Sequence, residues 1–245
     1  MIMKKSKIRL LIKPTFATVI SSLVLFIVIG VIVLTSWILY NRTVTILTDN
    51  LRQRILTISI TEASNIKGED LNALQVESDW QKPQWAKIVN KLHNAKYSNN
   101  DIVFMYIFRY KKGFYGDPKN MEFIGDADSI DPYANINNDP TNASVPASSC
   151  PKCVDSNRDG KIEPDGPDKL QWPGQPFPEA ADIPEAQQAY NGPITVKDLY
   201  TDDYGSVLTG YAPIKDASGT VVAILGTDIK ADDFLQLQNR HYIRF

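Results

Sequence analysis

The residues best suited to chemistry lie in one short acidic stretch, Asp155 to Glu163. Oxygen-donating side chains fall at alternate positions of this stretch: Asp155, Asn157, Asp159 and Glu163. Gly160 permits the sharp turn that lets them converge, and Lys161 would offer its backbone carbonyl. The spacing matches the first nine positions of a calcium-binding loop. Because hard oxygen ligands favour Ca²⁺ over softer metals, the sequence predicts a structural calcium site.

The match to a calcium loop is incomplete at its twelfth position. A bidentate Glu is typical there, whereas this chain has Gly166, so Asp165 or Asp168 would have to supply the ligand. Pro164 argues against a helix that leaves the loop. The alternative is an ordinary acidic turn, because Asp, Asn and Gly are common turn residues.

Two cysteines, Cys150 and Cys153, directly precede the acidic stretch. In an oxidising compartment they can close a small disulfide ring. A zinc site would need a second pair of ligands, and the two histidines, His93 and His241, are distant in sequence. The spacing therefore favours a disulfide.

The sequence contains no recognisable catalytic motif. It lacks a glycine-rich phosphate loop followed by Lys and Ser or Thr, a nucleophile elbow and a metalloprotease helix. Carboxylates are numerous, but no spacing nominates a glycosidase pair. Basic residues cluster in the first 13 positions and the remainder is acidic, which argues against nucleic acid as a partner. We therefore expect no catalysis by this segment, although an output domain beyond it could be an enzyme.

An uncharged and mostly apolar run extends from Pro14 to Asn41. About 20 helical residues cross a hydrocarbon core of roughly 30 Å, so this run predicts one transmembrane helix at residues 14–41. The basic residues before it predict a cytoplasmic tail at 1–13, with the main domain outside the inner or plasma membrane. Trp37 and Tyr40 resemble an interfacial aromatic belt, and a cleavable signal peptide would be shorter. We expect an uncleaved, single-pass anchor in the lipid bilayer.

Residues 42–78 are predicted to form a stalk or signalling helix. Their apolar residues recur at steps of three and four: Val44, Leu47, Leu51, Ile55 and Ile58. Two interpretations remain open. The stripe packs on its own domain, or it forms the seam of a parallel homodimer.

The remaining pattern predicts an α+β domain. Pro83 can begin a second helix, with an apolar face of Trp85, Ile88, Val89 and Leu92. Asp101–Lys111 has the period of a strand. Further elements are a short helix at Pro184–Tyr190 and strands at Glu122–Ala127, Ile194–Leu199, Ser206–Ile214 and Thr220–Ile229. Helices followed by antiparallel strands are typical of this class. Residues 129–183 have no periodic pattern, and a pattern returns only at about Pro184. These residues are therefore expected to form a loop insertion.

The last strands resemble those of Cache domains, the PAS-like extracytoplasmic sensors of bacterial histidine kinases, chemoreceptors and diguanylate cyclases. The resemblance lies in Leu199–Gly205, Leu208–Ile214 and Val221–Ile229, with Asp216 and Gly219 between the last two stretches. It is strong near the C-terminus and weaker from residue 41 to 128. It implies one Cache module over residues 79–234, with an antiparallel sheet and a long N-terminal helix.

In Cache domains the ligand lies against one face of the sheet, beneath the long connection between strands. The resemblance implies a floor of Tyr106, Phe108 and Tyr211 and a rim of Asp126, Tyr133, Tyr204 and Asp228. Arg109, a cation inside a predicted strand, could contact a carboxylate. An aromatic strand face is equally typical of a core. The ligand would be a small molecule of unspecified identity.

The function that follows is ligand sensing outside the cytoplasm, with the signal leaving through the membrane helix. The alternative is a surface-tethered, calcium-dependent binding or adhesion module without signalling output, and a hydrolase is a weaker third possibility. Residues 235–245 resemble the start of an exit helix that is cut short, so we expect the sequence to be a piece of a longer receptor.

Overall fold

A computed structural model describes residues 15–136, 141, 143–197, 200–202 and 205–230. Its longest element is helix α1 (Phe16–Ser64). The chain divides into two compact units, one ending at Thr48 and the other beginning at Asp49. Residues 49–78, expected in a stalk, therefore belong to the second unit.

The described part of the first unit is the N-terminal portion of α1. It contains a segment long and apolar enough to cross a membrane. Its hydroxyls bond to carbonyls of the preceding turn: Thr18 to Thr15 O at 2.7 Å and Ser22 to Thr18 O at 2.8 Å. A helix that satisfies its polar groups internally meets the requirement that a bilayer imposes.

In its described residues, the second unit contains the end of α1 and three further α-helices: α2 (Gly68–Asn72), α3 (Pro83–Tyr97) and α4 (Pro184–Gln188). Helix α3 begins at the predicted Pro83, where a missing N–H costs nothing. Its predicted apolar stripe is buried, namely Trp85, Ile88, Val89 and Leu92. The prediction for this helix is confirmed.

The strands are antiparallel, as predicted. They are β1 (Ile102–Tyr110), β2 (Met121–Asp126), β3 (Val145–Pro146), β4 (Lys161–Ile162), β5 (Ile194–Thr195), β6 (Tyr200–Asp202), β7 (Gly205–Lys215) and β8 (Val221–Lys230). The main sheet has the order β2-β1-β8-β7-β5, and β6 also pairs with β7. The strand predicted at Ile194–Leu199 is shorter in the structure than predicted: β5 begins at Ile194 and ends at Thr195.

Helix α1 packs against strand β7 inside the second unit. The Ser59 hydroxyl donates to the Gly210 carbonyl at 3.2 Å. A Cβ on Gly210 would lie 2.9 Å from Ser59 Oγ and 3.0 Å from Ile55 Cγ1, so glycine permits this close approach. Leu51 and Ile58 also pack against the core. The outer part of the apolar stripe thus packs on its own domain, and the homodimer stays a prediction.

The long insertion is tied into the fold. Strands β3 and β4 form a small ladder within it, and Cys150 and Cys153 are joined by the predicted disulfide. The insertion then returns along the edge of β2. Phe123 N donates to Gln175 O at 2.8 Å, and Phe177 N donates to Met121 O at 2.9 Å. These bonds place residues 175–177 beside β2 at the edge of the sheet.

Candidate ligand-binding site

A cavity of about 560 Å³ lies between the sheet and the returning insertion. The sheet supplies Phe104, Tyr106, Phe123, Asp126, Val207, Thr209, Tyr211 and Asp228. The opposite wall comes from residues between Ser156 and Lys197. The volume of the cavity and its mixture of aromatic and polar groups are typical of small-molecule sites.

Aromatic rings form much of the cavity floor. The Tyr106 ring lies against Gly226 of the neighbouring strand, where a Cβ would be only 2.6 Å from the ring. The ring of Phe177 from the insertion lies tilted against Phe123 at 4.2 Å and edge-to-face with Tyr106 at 6.2 Å, measured between ring centroids. Edge-to-face and tilted contacts of this kind fix the rings, so the floor is largely preorganised.

Tyr211 and Asp228 bring polar groups to the floor. Both are buried, on the adjacent strands β7 and β8. Burial, and then the negative charge of Asp228, raise the pKa of Tyr211, while hydrogen bonds from Tyr106 and Thr209 oppose this shift. The Tyr211 hydroxyl is therefore neutral at physiological pH and can donate or accept a hydrogen bond.

Asp126 fixes the insertion to the sheet. Its carboxylate accepts from the N–H of Asp128 at 2.6 Å, of Ser129 at 3.0 Å and of Gln171 at 2.9 Å, and from the Ser129 hydroxyl. Burial raises the pKa of Asp126 to about 6, the charge of Asp128 adds to the rise, and the hydrogen bonds oppose it. Both carboxylate oxygens of Asp126 thus accept hydrogen bonds that hold the insertion in place, although Asp126 also lines the cavity.

A buried ion pair supports the adjoining wall. Lys96 Nζ lies 2.5 Å from Asp128 Oδ2 and 2.8 Å from the Ser156 carbonyl. The Tyr97 hydroxyl donates to the other Asp128 oxygen at 3.1 Å. Burial lowers the pKa of Lys96, and the negative charge of Asp128 opposes that shift. Burial and Asp128 together raise the pKa of Tyr97 to about 12.

Two predicted ligand residues of β1 do not line the cavity. Phe108 lies beneath the floor, fully buried against Phe177 at 5.4 Å and Tyr211 at 5.8 Å. Arg109 points to the other face, because successive residues of a strand alternate. Its guanidinium donates to Glu122 at 2.9 Å and to the carbonyls of Leu71 and Leu74. The carboxylate that Arg109 contacts is therefore within its own chain.

Tyr133, another predicted ligand residue, is not among the described residues that line the cavity. The Tyr133 hydroxyl donates to Glu77. Its ring lies 5.8 Å from Trp80 and 6.4 Å from Trp172. Tyr204 lies outside the described residues. Of the eight predicted ligand residues, the structure brings Tyr106, Asp126, Tyr211 and Asp228 together at the cavity.

The predicted calcium loop forms consecutive side-chain turns. Asp155 accepts from the N–H of Asp159 at 3.1 Å and of Gly160 at 2.8 Å, and Asn157 accepts from the same Asp159 N–H at 3.1 Å. Asp159 accepts from Lys161 N at 2.9 Å. Across the ranges given above, no three His, Cys, Asp or Glu side chains form a group that could hold a metal ion. A bound calcium would need amide and carbonyl oxygens as well, and it stays a prediction.

The two candidates for the missing calcium ligand differ in position. Asp165 is exposed, whereas Asp168 is fully buried. Asp168 accepts from Ser156 N at 2.6 Å and from Glu163 N at 2.9 Å, so it joins the two ends of the loop. Burial raises the pKa of Asp168, and these hydrogen bonds oppose the rise.

Sequence reasoning missed several cavity residues. Phe104 shares the aromatic face of β1 and could have been found from the strand period. Gln171, Gln175, Phe177 and Glu185 come from the insertion and the short helix that follows it. Because the insertion has no periodic pattern, no sequence signal marked its residues.

No protein-family model matches this chain, and no curated protein matches it. Among solved structures, the periplasmic sensory domain of the Campylobacter jejuni chemoreceptor Tlp1 is similar, with a TM-score of 0.37 and 13% sequence identity. The similarity covers 80% of this chain and 59% of that chain, so this chain spans less than two thirds of the length of that domain. A similarity of this size does not identify a family.

Proposed function

We propose that the second unit is an extracytoplasmic ligand-sensing domain of a signal-transduction receptor of the histidine kinase, chemoreceptor or diguanylate cyclase type. The cavity between the sheet and the insertion carries this proposal. Its aromatic floor is fixed by ring contacts, and polar groups from the four strands β1, β2, β7 and β8 line it. Such a site suits a small molecule that has both apolar and polar parts.

An anchor in the membrane is part of the proposal. The apolar segment of α1 is long enough to cross a bilayer. The basic residues that precede it in the sequence favour a cytoplasmic N-terminus. The disulfide between Cys150 and Cys153 is of the kind that persists in oxidising compartments.

The route for a signal begins at two adjacent residues of β7. Tyr211 faces the cavity, and its neighbour Gly210 contacts Ser59 of α1. A ligand that displaces Tyr211 would therefore move the strand against the helix. Because interfaces with close contacts shift between discrete packings, a small displacement here can alter how α1 is held. Helix α1 is continuous from Phe16 to Ser64, so the same helix includes the proposed anchor.

Thermal-shift screening tests the proposal. The full chain in detergent is screened against small carboxylates, amines and polyols, and a compound that binds the folded state raises the Tm. Val207→Phe, which fills part of the cavity, should abolish the shift. Val76→Phe is the matched control, because Val76 is 56% exposed and outside the cavity lining. If no compound raises the Tm, or if Val207→Phe leaves the shift intact, the cavity is not a ligand site.

The second candidate is a surface-tethered, calcium-dependent binding module. The acidic turns between Asp155 and Lys161 favour it, because they gather oxygen donors on one loop. The reading frame downstream of this segment distinguishes the two proposals. A kinase, cyclase or chemoreceptor output module supports the sensor, whereas an immediate stop favours the tethered module.

A further inference from the structure

The charges around the cavity are unbalanced. Six carboxylates line it: Asp126, Asp128, Glu179, Asp182, Glu185 and Asp228. Among the residues that the structure describes, two ammonium groups line it, those of Lys169 and Lys197. Asp128 is paired with Lys96 below the wall, which reduces the excess by one charge but does not reverse its sign. Carboxylates therefore dominate the potential inside the cavity.

Five of the six carboxylates divide into two groups with different roles, and Asp228 on the floor is the sixth. Asp126 and Asp128 hold the wall together through the bonds described above. Glu179, Asp182 and Glu185 belong to the side of the cavity opposite the sheet, here called the roof. No ion pair in the described part of the chain engages them. Their negative charge is therefore available to a ligand.

Two of the carboxylates line the cavity from opposite layers of the domain. Asp228 lies on β8 of the sheet, and Glu185 lies on α4 of the roof. Both line the cavity, and the negative charge of each contributes to the raised pKa of Tyr211. The cavity therefore has one carboxylate on its floor, Asp228, and another on the side opposite the sheet, Glu185.

The floor beneath these carboxylates is aromatic. The rings of Phe104, Tyr106 and Tyr211 line the cavity, and the face of an aromatic ring attracts cations. The Phe104 ring already has a cation near it, since Lys96 Nζ lies 5.6 Å from its centroid. An anion placed here would meet like charges and ring faces, and both repel it.

We infer that the cavity takes a small organic cation, an ammonium compound whose charged nitrogen lies between Asp228 and Glu185 above the aromatic floor. This inference rests on the proposed function and specifies its ligand class. Carboxylates supply the charge attraction and the rings supply the apolar contact. The exposed carboxylates of the roof raise the local concentration of cations at the entrance.

Two sets of probes with the same shape and different charge test the inference on the full chain in detergent. One set is choline, 3,3-dimethylbutan-1-ol and 3,3-dimethylbutanoate. The other is 1,4-diaminobutane, butane-1,4-diol and succinate. At about 100 times its dissociation constant, a binding cation should raise the Tm by about 5 to 10 °C. The neutral and anionic members of each set should leave it unchanged.

Charge-removing variants locate the binding site. Asp228→Asn and Glu185→Gln should each weaken the binding of the cationic probe at least about tenfold in titration calorimetry. Glu185 lies on the partly exposed roof, so its variant keeps the fold even if Asp228→Asn is unstable. Asp101→Asn, a carboxylate with 54% exposure outside the cavity lining, is the matched control and should bind as the wild type does.

The outcomes separate this inference from the proposed function. If only anionic or neutral probes raise the Tm, the domain binds ligands but the inference about charge is wrong. If cations bind equally well to Asp228→Asn and Glu185→Gln, their site is elsewhere and the inference is also wrong. If no probe of any charge raises the Tm, the result counts against a ligand-sensing function itself.

Discussion

Replacing Asp128 by Asn tests whether the cavity wall depends on a buried charge pair. Lys96 is fully buried and Asp128 is 4% exposed, with 2.5 Å between Nζ and Oδ2. In Asp128→Asn, the Lys96 ammonium keeps the Ser156 carbonyl at 2.8 Å but loses its counter-charge. A desolvated cation without a compensating charge is strongly unfavourable.

The expected loss of folding stability is about 3 to 5 kcal/mol, the usual result of breaking one half of a buried ion pair. For a domain of this size that corresponds to a fall in Tm of about 6 to 20 °C. Asp101→Asn removes an exposed pair with Arg54 at 2.8 Å and should cost at most about 1 kcal/mol. The double variant Lys96→Met with Asp128→Leu removes both charges and should recover most of the loss.

The pH dependence has a defined sign. Burial already lowers the pKa of Lys96, and removing Asp128 eliminates the main interaction that opposes this shift. The folded variant therefore releases the Lys96 proton at a lower pH than the unfolded chain does. Between those two pKa values the unfolded chain binds more protons, so stability rises with pH. The loss of folding stability in Asp128→Asn should therefore shrink as the pH rises towards the ordinary pKa of lysine, about 10.4.

Urea unfolding of the full chain in detergent, followed by tryptophan fluorescence, measures both effects. The midpoint and slope give the free energy of unfolding for wild type, Asp128→Asn and the Asp101→Asn control at each pH. The reasoning is refuted if Asp128→Asn costs no more than the control. It is also refuted if the deficit widens as the pH rises.

Three further predictions follow from the close contacts and the loop. Gly210→Ala should cost about 1 to 3 kcal/mol in thermal unfolding, because its Cβ would lie 2.9 Å from Ser59 Oγ, and Ser59→Ala should restore part of that loss. The raised pKa of Asp126, about 6, means that the folded state binds more protons than the unfolded chain between about pH 4 and that value. Stability should therefore fall over this range as the pH rises, and a wild-type slope that Asp126→Asn does not flatten would contradict the assignment. If the acidic loop binds calcium, EDTA should lower the Tm of wild type but not of Asp155→Ala or Asp159→Ala, and the absence of an EDTA effect in wild type would remove the calcium site.

Sequence periodicity was sufficient for helix α3 and for the long strands of the main sheet. Helix α3 begins at the predicted Pro83, and strands β7 and β8 match their predicted bounds within one residue at each end. These segments have strong periods because one face of each packs on the core. The position of Tyr106 in the cavity floor could be predicted for the same reason, because the alternation of side chains along β1 places it on the aromatic face.

The sequence could not specify which residues of a strand line the cavity and which lie beneath its floor. Phe108 shares the face of Tyr106, yet Phe177 from the insertion covers it. The pairing of β1 with β2 also shifts register between Ile107 and Phe108, which changes how that face continues. Both effects depend on contacts distant in sequence. Arg109 was placed in the site because of its charge, whereas Glu122 on β2 neutralises it on the other face.

The insertion was predictable only as a region without regular structure. Its order comes from side-chain bonds to backbone groups, such as those of Asp126 and Asp168, and from backbone bonds to the edge of β2. Interactions of this kind leave no hydrophobic period in the sequence. For that reason Gln175 and Phe177 could not be assigned to the cavity before the structure was known.

The bonds of Asp126 have a consequence for how this domain can diversify. Ser129 and Gln171 bind the same carboxylate, so the chain between them departs from the sheet and rejoins it at one point. When the two ends of a flexible loop are held together in this way, lengthening the loop costs little entropy. Each doubling of its length costs about 0.6 kcal/mol. Relatives of this protein could therefore gain or lose residues there while the sheet that supports the cavity floor keeps its geometry.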